Sequence, residues 1–178
     1  LQDIFPDVAI ALGKVKSRFL INSLQKYEKF TYRGSDALTV LSKDLEENVS
    51  NKISSMRIPP KVEVIPNFLI SESIKPQSRY TKYREEYELG EKLVVMYAGN
   101  LGNSQSFELM IKAAENHEKR EDVIYVINGS GVMSETLKEK ATELGNLKII
   151  DYQPIKRLSE VLATADIHIV TLRTGLGH

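Results

Sequence analysis

Between Lys92 and Arg173 the spacing of apolar residues switches back and forth between two periods. Largely apolar runs at 93–98, 123–127, 147–150 and 167–172 alternate with stretches at about 105–118, 134–144 and 156–164. In those stretches the apolar residues recur every three or four positions. Runs of the first kind predict strands covered on both faces, and stretches of the second kind predict amphipathic helices. Phe107, Met110, Ile111 and Ala114 form the stripe of the first helix, and Leu158, Val161, Leu162 and Ala165 that of the last. Strands alternating with helices of this length predict right-handed βαβ crossovers and a parallel sheet, the α/β class.

The region before Lys92 is less regular. Val15, Phe19, Leu20, Leu24, Tyr27 and Phe30 predict a helix over 14–33, stopped at Gly34. Its polar side carries Lys14, Lys16, Arg18, Lys26, Lys29 and Arg33 against a single acid, Glu28. The favoured reading is a domain helix with a solvated charged face, and the alternative is a helix resting on an anionic membrane surface. A short strand at 37–41 follows, then a helix over 43–55 capped by Ser42 and ended before Pro59 and Pro60, then a strand at 61–65. Residues 71–90, rich in Ser, Lys, Glu, Arg and Tyr, predict a linker plus an exposed helix over 79–87. The expected division is 1–66, a linker at 67–91, and 92–178.

Composition narrows the function classes. A 178-residue chain that is 42% hydrophobic and 27% charged has the make-up of a globular domain. Zero formal charge gives no support to nucleic-acid binding. With no cysteine, disulfide frameworks and thiolate metal sites are excluded. His117, His168 and His178 make no metal-spacing cluster with the acids, so no metal is expected. No apolar run reaches the roughly 20 residues of a membrane-spanning helix, and no secretory signal is visible. The opening at Leu1 and the close at His178, just past a strand, are expected of a piece of a longer polypeptide.

Candidate chemistry sits where the strands end. Gly99-Asn100-Leu101-Gly102-Asn103-Ser104 follows the first strand of the regular region. Glycines there let a backbone approach a phosphate, and the helix after it offers unpaired N–H groups. No Gly-Lys-Ser/Thr follows, so it is not a P-loop. Gly129-Ser130-Gly131-Val132-Met133-Ser134 approximates the G-x-G-x-x-G/A fingerprint, with Asp151 about 20 residues on. That supports an NAD(P)-dependent oxidoreductase as the alternative function, although the fingerprint normally sits on the first strand of its sheet. Tyr152 and Gln153 lie at the end of the third strand, where backbone groups can read a base edge while the tyrosine stacks on it. Arg173, after the fourth, has the geometry to pair with a diphosphate.

Several phrases resemble one family in the same order. Val62-Glu63-Val64-Ile65-Pro66-Asn67 resembles the V-x-V-I-P-N-G segment of GT-B glycosyltransferases of family 4, the group 1 glycosyl transferases. Residues 36–42 resemble the strand before it. Met96 to Gly102 and Tyr125 to Gly131 resemble the first two strands of the donor domain, and Ala165 to Val170 the last strand before the family's glutamate motif. Gln2-Asp3-Ile4-Phe5-Pro6-Asp7 resembles the Q-D-x-x-P-D segment of bacterial enzymes that build capsular, O-antigen and colanic-acid-type polysaccharides.

The resemblance implies the end of an N-terminal Rossmann-like acceptor domain followed by part of a C-terminal Rossmann-like donor domain. It implies a retaining transferase that moves a sugar from a UDP- or GDP-sugar to a lipid-linked or saccharide acceptor. No separate cofactor and no metal would be needed. The expected location is cytoplasmic, with peripheral contact at the inner face of the membrane. Gly99, Asn100, Leu101, Gly102, Asn103, Gly129, Ser130, Gly131, Tyr152, Gln153 and Arg173 are the expected donor-site residues; catalytic residues are unassigned. Where many relatives carry an Arg and a Lys near the first turn, this chain has Asn103, Ser104 and Gln105. The family's paired glutamates would lie downstream of Gly177, so the 178-residue piece is expected to lack transferase activity. A non-catalytic nucleotide-binding module is a third reading.

Overall fold

The computed structural model describes residues 1–68 and 74–173, which fall into two compact units. Expectations placed on Ser71 and on Thr174 to His178 lie outside these residues.

The first unit runs α1 (Asp7–Ala11), α2 (Arg18–Arg33), β1 (Ala37–Val40), α3 (Lys43–Ile53) and β2 (Lys61–Val64). The strands are parallel, with Ala37 opposite Lys61 and Val40 opposite Val64. Side chains alternate along β1, so Leu38 and Val40 are buried while Ala37 and Thr39 are exposed. Leu45, Val49 and Ile53, spaced four apart on α3, close over the buried side together with Ile4 and Tyr32. Ser42 holds the N-cap position of α3 in extended conformation, but its side chain makes no capping hydrogen bond.

One ion network ties the helices together. Lys52 Nζ lies 2.7 Å from Asp7 Oδ2 and 2.6 Å from Glu28 Oε1. Tyr32 donates to the same Glu28 oxygen at 2.9 Å. Burial and the adjacent carboxylate both push the Tyr32 pKa up. Asp7 of the Q-D-x-x-P-D phrase thus starts α1, a helix that the spacing analysis does not predict, and anchors it to α3.

Two expectations for α2 change. It begins at Arg18 rather than Lys14, and only Glu28 and Tyr32 are buried. Phe19, Leu20, Tyr27 and Phe30, which make up most of the predicted stripe, are exposed. Periodicity defines a face of a helix without saying which way that face points.

The second unit runs α4 (Lys82–Glu86), β3 (Leu93–Ala98), α5 (Phe107–Asn116), β4 (Val123–Asn128), α6 (Ser134–Ala141), β5 (Leu147–Ile150), a short 3-10 turn at Ile155–Arg157, α7 (Leu158–Thr164) and β6 (Ile167–His168). All strand pairs are parallel and the order is β5-β4-β3-β6. The expected parallel α/β sheet is what forms. Val95, Tyr97, Tyr125 and Ile127 face one layer with Phe107, Met110 and Leu137. Val94, Met96, Ile124 and Val126 face the other with Tyr83, Leu89 and Val161. Burial on both faces is the physical reason these strands are continuously apolar.

β6 is shorter than the expected 167–172, pairing only Ile167 with Val95 and His168 with Met96. The expected exposed helix at 79–87 is also corrected. α4 buries Tyr83 and Arg84 and packs on the same layer as α7. Its polar composition misleads because Asp166 and Asn128 are brought to it from far along the chain. Asp166 accepts from Val94 N at 2.8 Å, from Arg84 Nη2 at 3.1 Å and from Arg79. Tyr83 donates to Asn128 Oδ1 at 2.6 Å, a bond between two buried side chains.

Candidate functional site

β5, β4 and β3 are neighbours in the sheet, so the turns that leave their C-terminal ends are neighbours too. In an open parallel sheet this edge is where ligands bind. The three turns are joined by backbone hydrogen bonds. Gly99 N donates to Asn128 O at 3.0 Å, Leu101 N to Ser130 O at 3.0 Å, and Met133 N to Leu101 O at 3.0 Å. Gly129 N donates to Ile150 O at 2.8 Å. Ser130 Oγ accepts from Tyr152 N at 3.3 Å, which brings in the third turn.

The two glycine turns have different requirements. A β-carbon on Gly129 would stand 1.9 Å from Gly99 O, and one on Gly131 would stand 2.4 Å from Leu101 O. Both glycines are therefore needed so that the second turn can lie against the backbone of the first. Ser134 Oγ accepts from Gly131 N at 2.9 Å. The near-match to a dinucleotide fingerprint thus has a packing explanation. Asp151, the acid that fingerprint would use on a ribose, lies 3.1 Å from Lys138 Nζ. That hydrogen bond and charge raise the Lys138 pKa.

At Gly102 a β-carbon would stand 3.0 Å from Gln105 Oε1 and 3.1 Å from Asn100 Nδ2, both ends of flexible side chains. Gly102 N donates to Gln105 Oε1 at 3.0 Å, and Tyr97 OH donates to Asn100 O at 2.8 Å. Burial raises the Tyr97 pKa and keeps that phenol a donor. Ser106, at the N-cap of α5, makes no side-chain capping bond, so the first turn of the helix carries N–H groups without a side-chain cap.

Every expected donor-site residue lies on one of these turns or against them. Leu101 is fully buried, and its N–H and C=O are both used by the second turn, so it anchors the turn from below. Arg173 reaches the first turn. Its N donates to Ser104 O at 2.9 Å, its Nε to Gln105 O at 3.3 Å, and its Nη2 lies 2.9 Å from Glu108 Oε1. The cation is thus paired with an acid in the first turn of α5.

Tyr152 is exposed and borders a cavity of about 80 Å³, lined also by Gly99, Asn128, Gln153, Ile155 and Leu158. Gln153 is held by side-chain bonds, accepting from Arg157 Nη1 at 2.9 Å and donating to Tyr87 OH at 3.2 Å. Sequence reasoning missed Gln105, Ile155 and Tyr87. Gln105 is visible only as a missing cation and Tyr87 only as the end of the expected exposed helix, and nothing in the sequence singles out Ile155. Among the described residues no three His, Asp or Glu side chains converge as a metal site would require.

Comparison with known proteins places this architecture. WaaG, a glycosyltransferase involved in lipopolysaccharide biosynthesis, shares the fold at TM-score 0.69 and 16% identity, over 96% of this chain and 48% of that one. Anabaena HepE, solved in complex with UDP and glucose, shares it at TM-score 0.64 and 16% identity, over 84% of this chain and 42% of that one. The fold is that of GT-B glycosyltransferase domains.

The probable glycosyltransferase WbjE of Pseudomonas aeruginosa is 24% identical over 180 residues, covering 99% of this chain and 44% of WbjE. The putative colanic acid biosynthesis glycosyl transferase WcaI of Escherichia coli is 30% identical over 86 residues, 47% of this chain and 21% of WcaI. This chain therefore spans less than half of these relatives. Residues 80–178 match the family of glycosyl transferases group 1, and the chain belongs to that family.

Proposed function

We propose that the protein carrying this chain transfers a sugar from a UDP- or GDP-sugar to a lipid-linked or saccharide acceptor in polysaccharide biosynthesis. The observation that carries this reading is the knitting together of three strand-end turns, the first of which leads into the N-terminus of α5 without a side-chain cap. A diphosphate placed at the first turn would meet Gly102 and the uncapped N–H groups of α5, where the helix dipole favours an anion. Arg173 has a specific task in that arrangement. Glu108 lies in the first turn of α5 and would repel a diphosphate, and Arg173 neutralises it.

The cavity beside Tyr152 and Ile155 suits a base, with the exposed Tyr152 ring as its stacking surface. UDP in the HepE structure and the polysaccharide roles named for WcaI and WaaG support the donor and acceptor classes. The proposal includes retention of anomeric configuration, no metal and no separate cofactor, and work at the cytoplasmic face of a membrane. Charge stabilisation for the departing diphosphate is then left to helix amides and to groups outside this chain, and the chain alone should show no turnover.

Calorimetric titration with UDP, GDP and NAD tests the donor reading. UDP or GDP should bind and NAD should not. Tyr152→Ala should weaken that binding by about 1–3 kcal/mol, the usual size of a base–aromatic stack. NAD binding without UDP or GDP binding would reverse the assignment. A radiolabelled-sugar assay showing turnover by the chain alone would overturn the claim of inactivity.

A further inference from the structure

β4 is buried at every position, and it ends on an amide. Asn128 is 4% exposed and continues the row of Ile124 and Val126 on the side of the sheet that holds Tyr83 and Val161. Its neighbours in register are Ala98 and Ile150, so no polar side chain flanks it in the sheet. A buried amide needs partners at both ends. Tyr83 OH supplies one, donating to Oδ1 at 2.6 Å. Burial pushes the Tyr83 pKa up, so the phenol stays protonated and stays a donor. That bond turns Nδ2 the other way. Among the described residues Nδ2 has no partner, yet it is not one of the side-chain atoms sealed away from solvent. It therefore faces the cavity beside Tyr152, which Asn128 lines.

The other polar side chains of that cavity do not compete for this role. Gln153 has both ends of its amide in use: Oε1 accepts from Arg157, and Nε2 donates to Tyr87 OH and, at 3.0 Å, to Asp151 O. Tyr152 is exposed and stands at the rim, whereas Asn128 and Val161 are buried and form the floor. No Asp or Glu is among the described residues that line the cavity.

We propose that Asn128 is a specificity-determining residue that selects uracil, its Nδ2 donating to O4 of the base, and that Tyr83 is the positioning residue that fixes the amide in that sense. The inference rests on the reading that this cavity takes the base of the donor. In a pyrimidine nucleotide, C4 lies across the ring from the nitrogen that carries the ribose. With the diphosphate outside at the first turn, the group on C4 reaches deepest. In uracil that group is a carbonyl acceptor, and in cytosine it is an amino donor. Guanine is disfavoured as well, since its N–H donors would meet a floor without a carboxylate. A site built around a hydrogen bond rejects a ligand that leaves the bond unmade more strongly than a pocket rejects a difference in bulk.

Calorimetric titration of the chain with UDP, CDP and GDP tests this. UDP should bind about 10–100-fold more tightly than CDP, which would set one buried donor against another. UDP should also bind more tightly than GDP. Asn128→Asp keeps one oxygen for Tyr83 and presents a second to the cavity. At about pH 8, well above the usual carboxylate pKa, the order should reverse and CDP should bind more tightly than UDP. Tyr83→Phe frees the amide to turn over, and UDP and CDP should then bind within about threefold of each other. A tyrosine with only a structural role would weaken both nucleotides alike. Circular dichroism checks that each variant folds, and if Asn128→Asp does not, Tyr83→Phe decides alone. Equal binding of UDP and CDP by the unchanged chain, tighter binding of GDP, or a UDP preference that survives the substitutions overturns the inference and leaves the donor site standing. If none of the three nucleotides binds, the donor reading falls and this inference falls with it.

Discussion

A β-carbon at Gly129 would stand 1.9 Å from a backbone oxygen, and one at Gly102 would stand 3.0 Å from the tip of a glutamine. Both residues follow a strand of the same sheet, and both belong to sequences that resemble phosphate-binding turns. Gly129 and Gly131 are fixed by the close approach of two backbones, which cannot give way. Gly102 borders side chains that can swing. Glycine in a strand-end turn therefore signals close approach without saying of what. In the second turn the approaching object is the protein's own first turn. In the first turn the approaching groups are the ends of the Gln105 and Asn100 side chains.

The contrast can be broken by substitution. Gly129→Ala should have the largest effect, a loss of about 3 kcal/mol or more in urea denaturation, with Gly131→Ala next at about 2–3 kcal/mol. If both cost less than about 0.5 kcal/mol, the packing explanation fails. Tyr83→Phe tests the support beneath the second turn. It leaves Asn128 Oδ1 buried without its donor and should cost about 1–2 kcal/mol. Gly102→Ala should cost under about 1 kcal/mol of stability, since only the ends of Gln105 and Asn100 have to move, while the proposed use of this turn by a diphosphate predicts several-fold weaker UDP or GDP binding. A large stability loss with unchanged binding would erase the distinction between the turns.

The smallest expected effect is on acid sensitivity. Hydrogen bonds from Arg157 lower the Glu160 pKa below its usual 4.5; partial burial opposes this, and Tyr83 N at 2.6 Å adds to it. A depressed carboxylate stabilises the fold above its unfolded pKa, and that share is lost as pH falls through the folded value. Glu160→Gln should flatten the decline in stability below about pH 4.5. An unchanged acid limb in thermal scans at successive pH values would rule this out.

Much of the second unit was legible in the chain because its strands are covered on both faces. Val94 to Tyr97 and Ile124 to Ile127 are apolar at every position, a pattern few other structures produce. The stripe expected on α5 faces the core, with Phe107, Met110 and Ala114 buried. A stripe of similar spacing on α2 points outward, and nothing in the spacing separates the two cases. The burial of α4 is not legible in the sequence, because Arg84 and Tyr83 look like surface residues until Asp166 and Asn128 are brought to them from far along the chain.

From the sequence alone came the alternation of strands and helices, the parallel sheet and the family resemblance, all of which rest on local periodicity and local phrases. Tertiary structure alone decided three things. The G-x-G turn serves packing, because only the folded sheet sets Gly99 O and Leu101 O against Gly129 and Gly131. Arg173 is neutralised by Glu108, a pairing between residues distant in the chain. And α2 turns its one acid inward and its aromatics outward, because the direction of a face depends on which neighbours the core supplies.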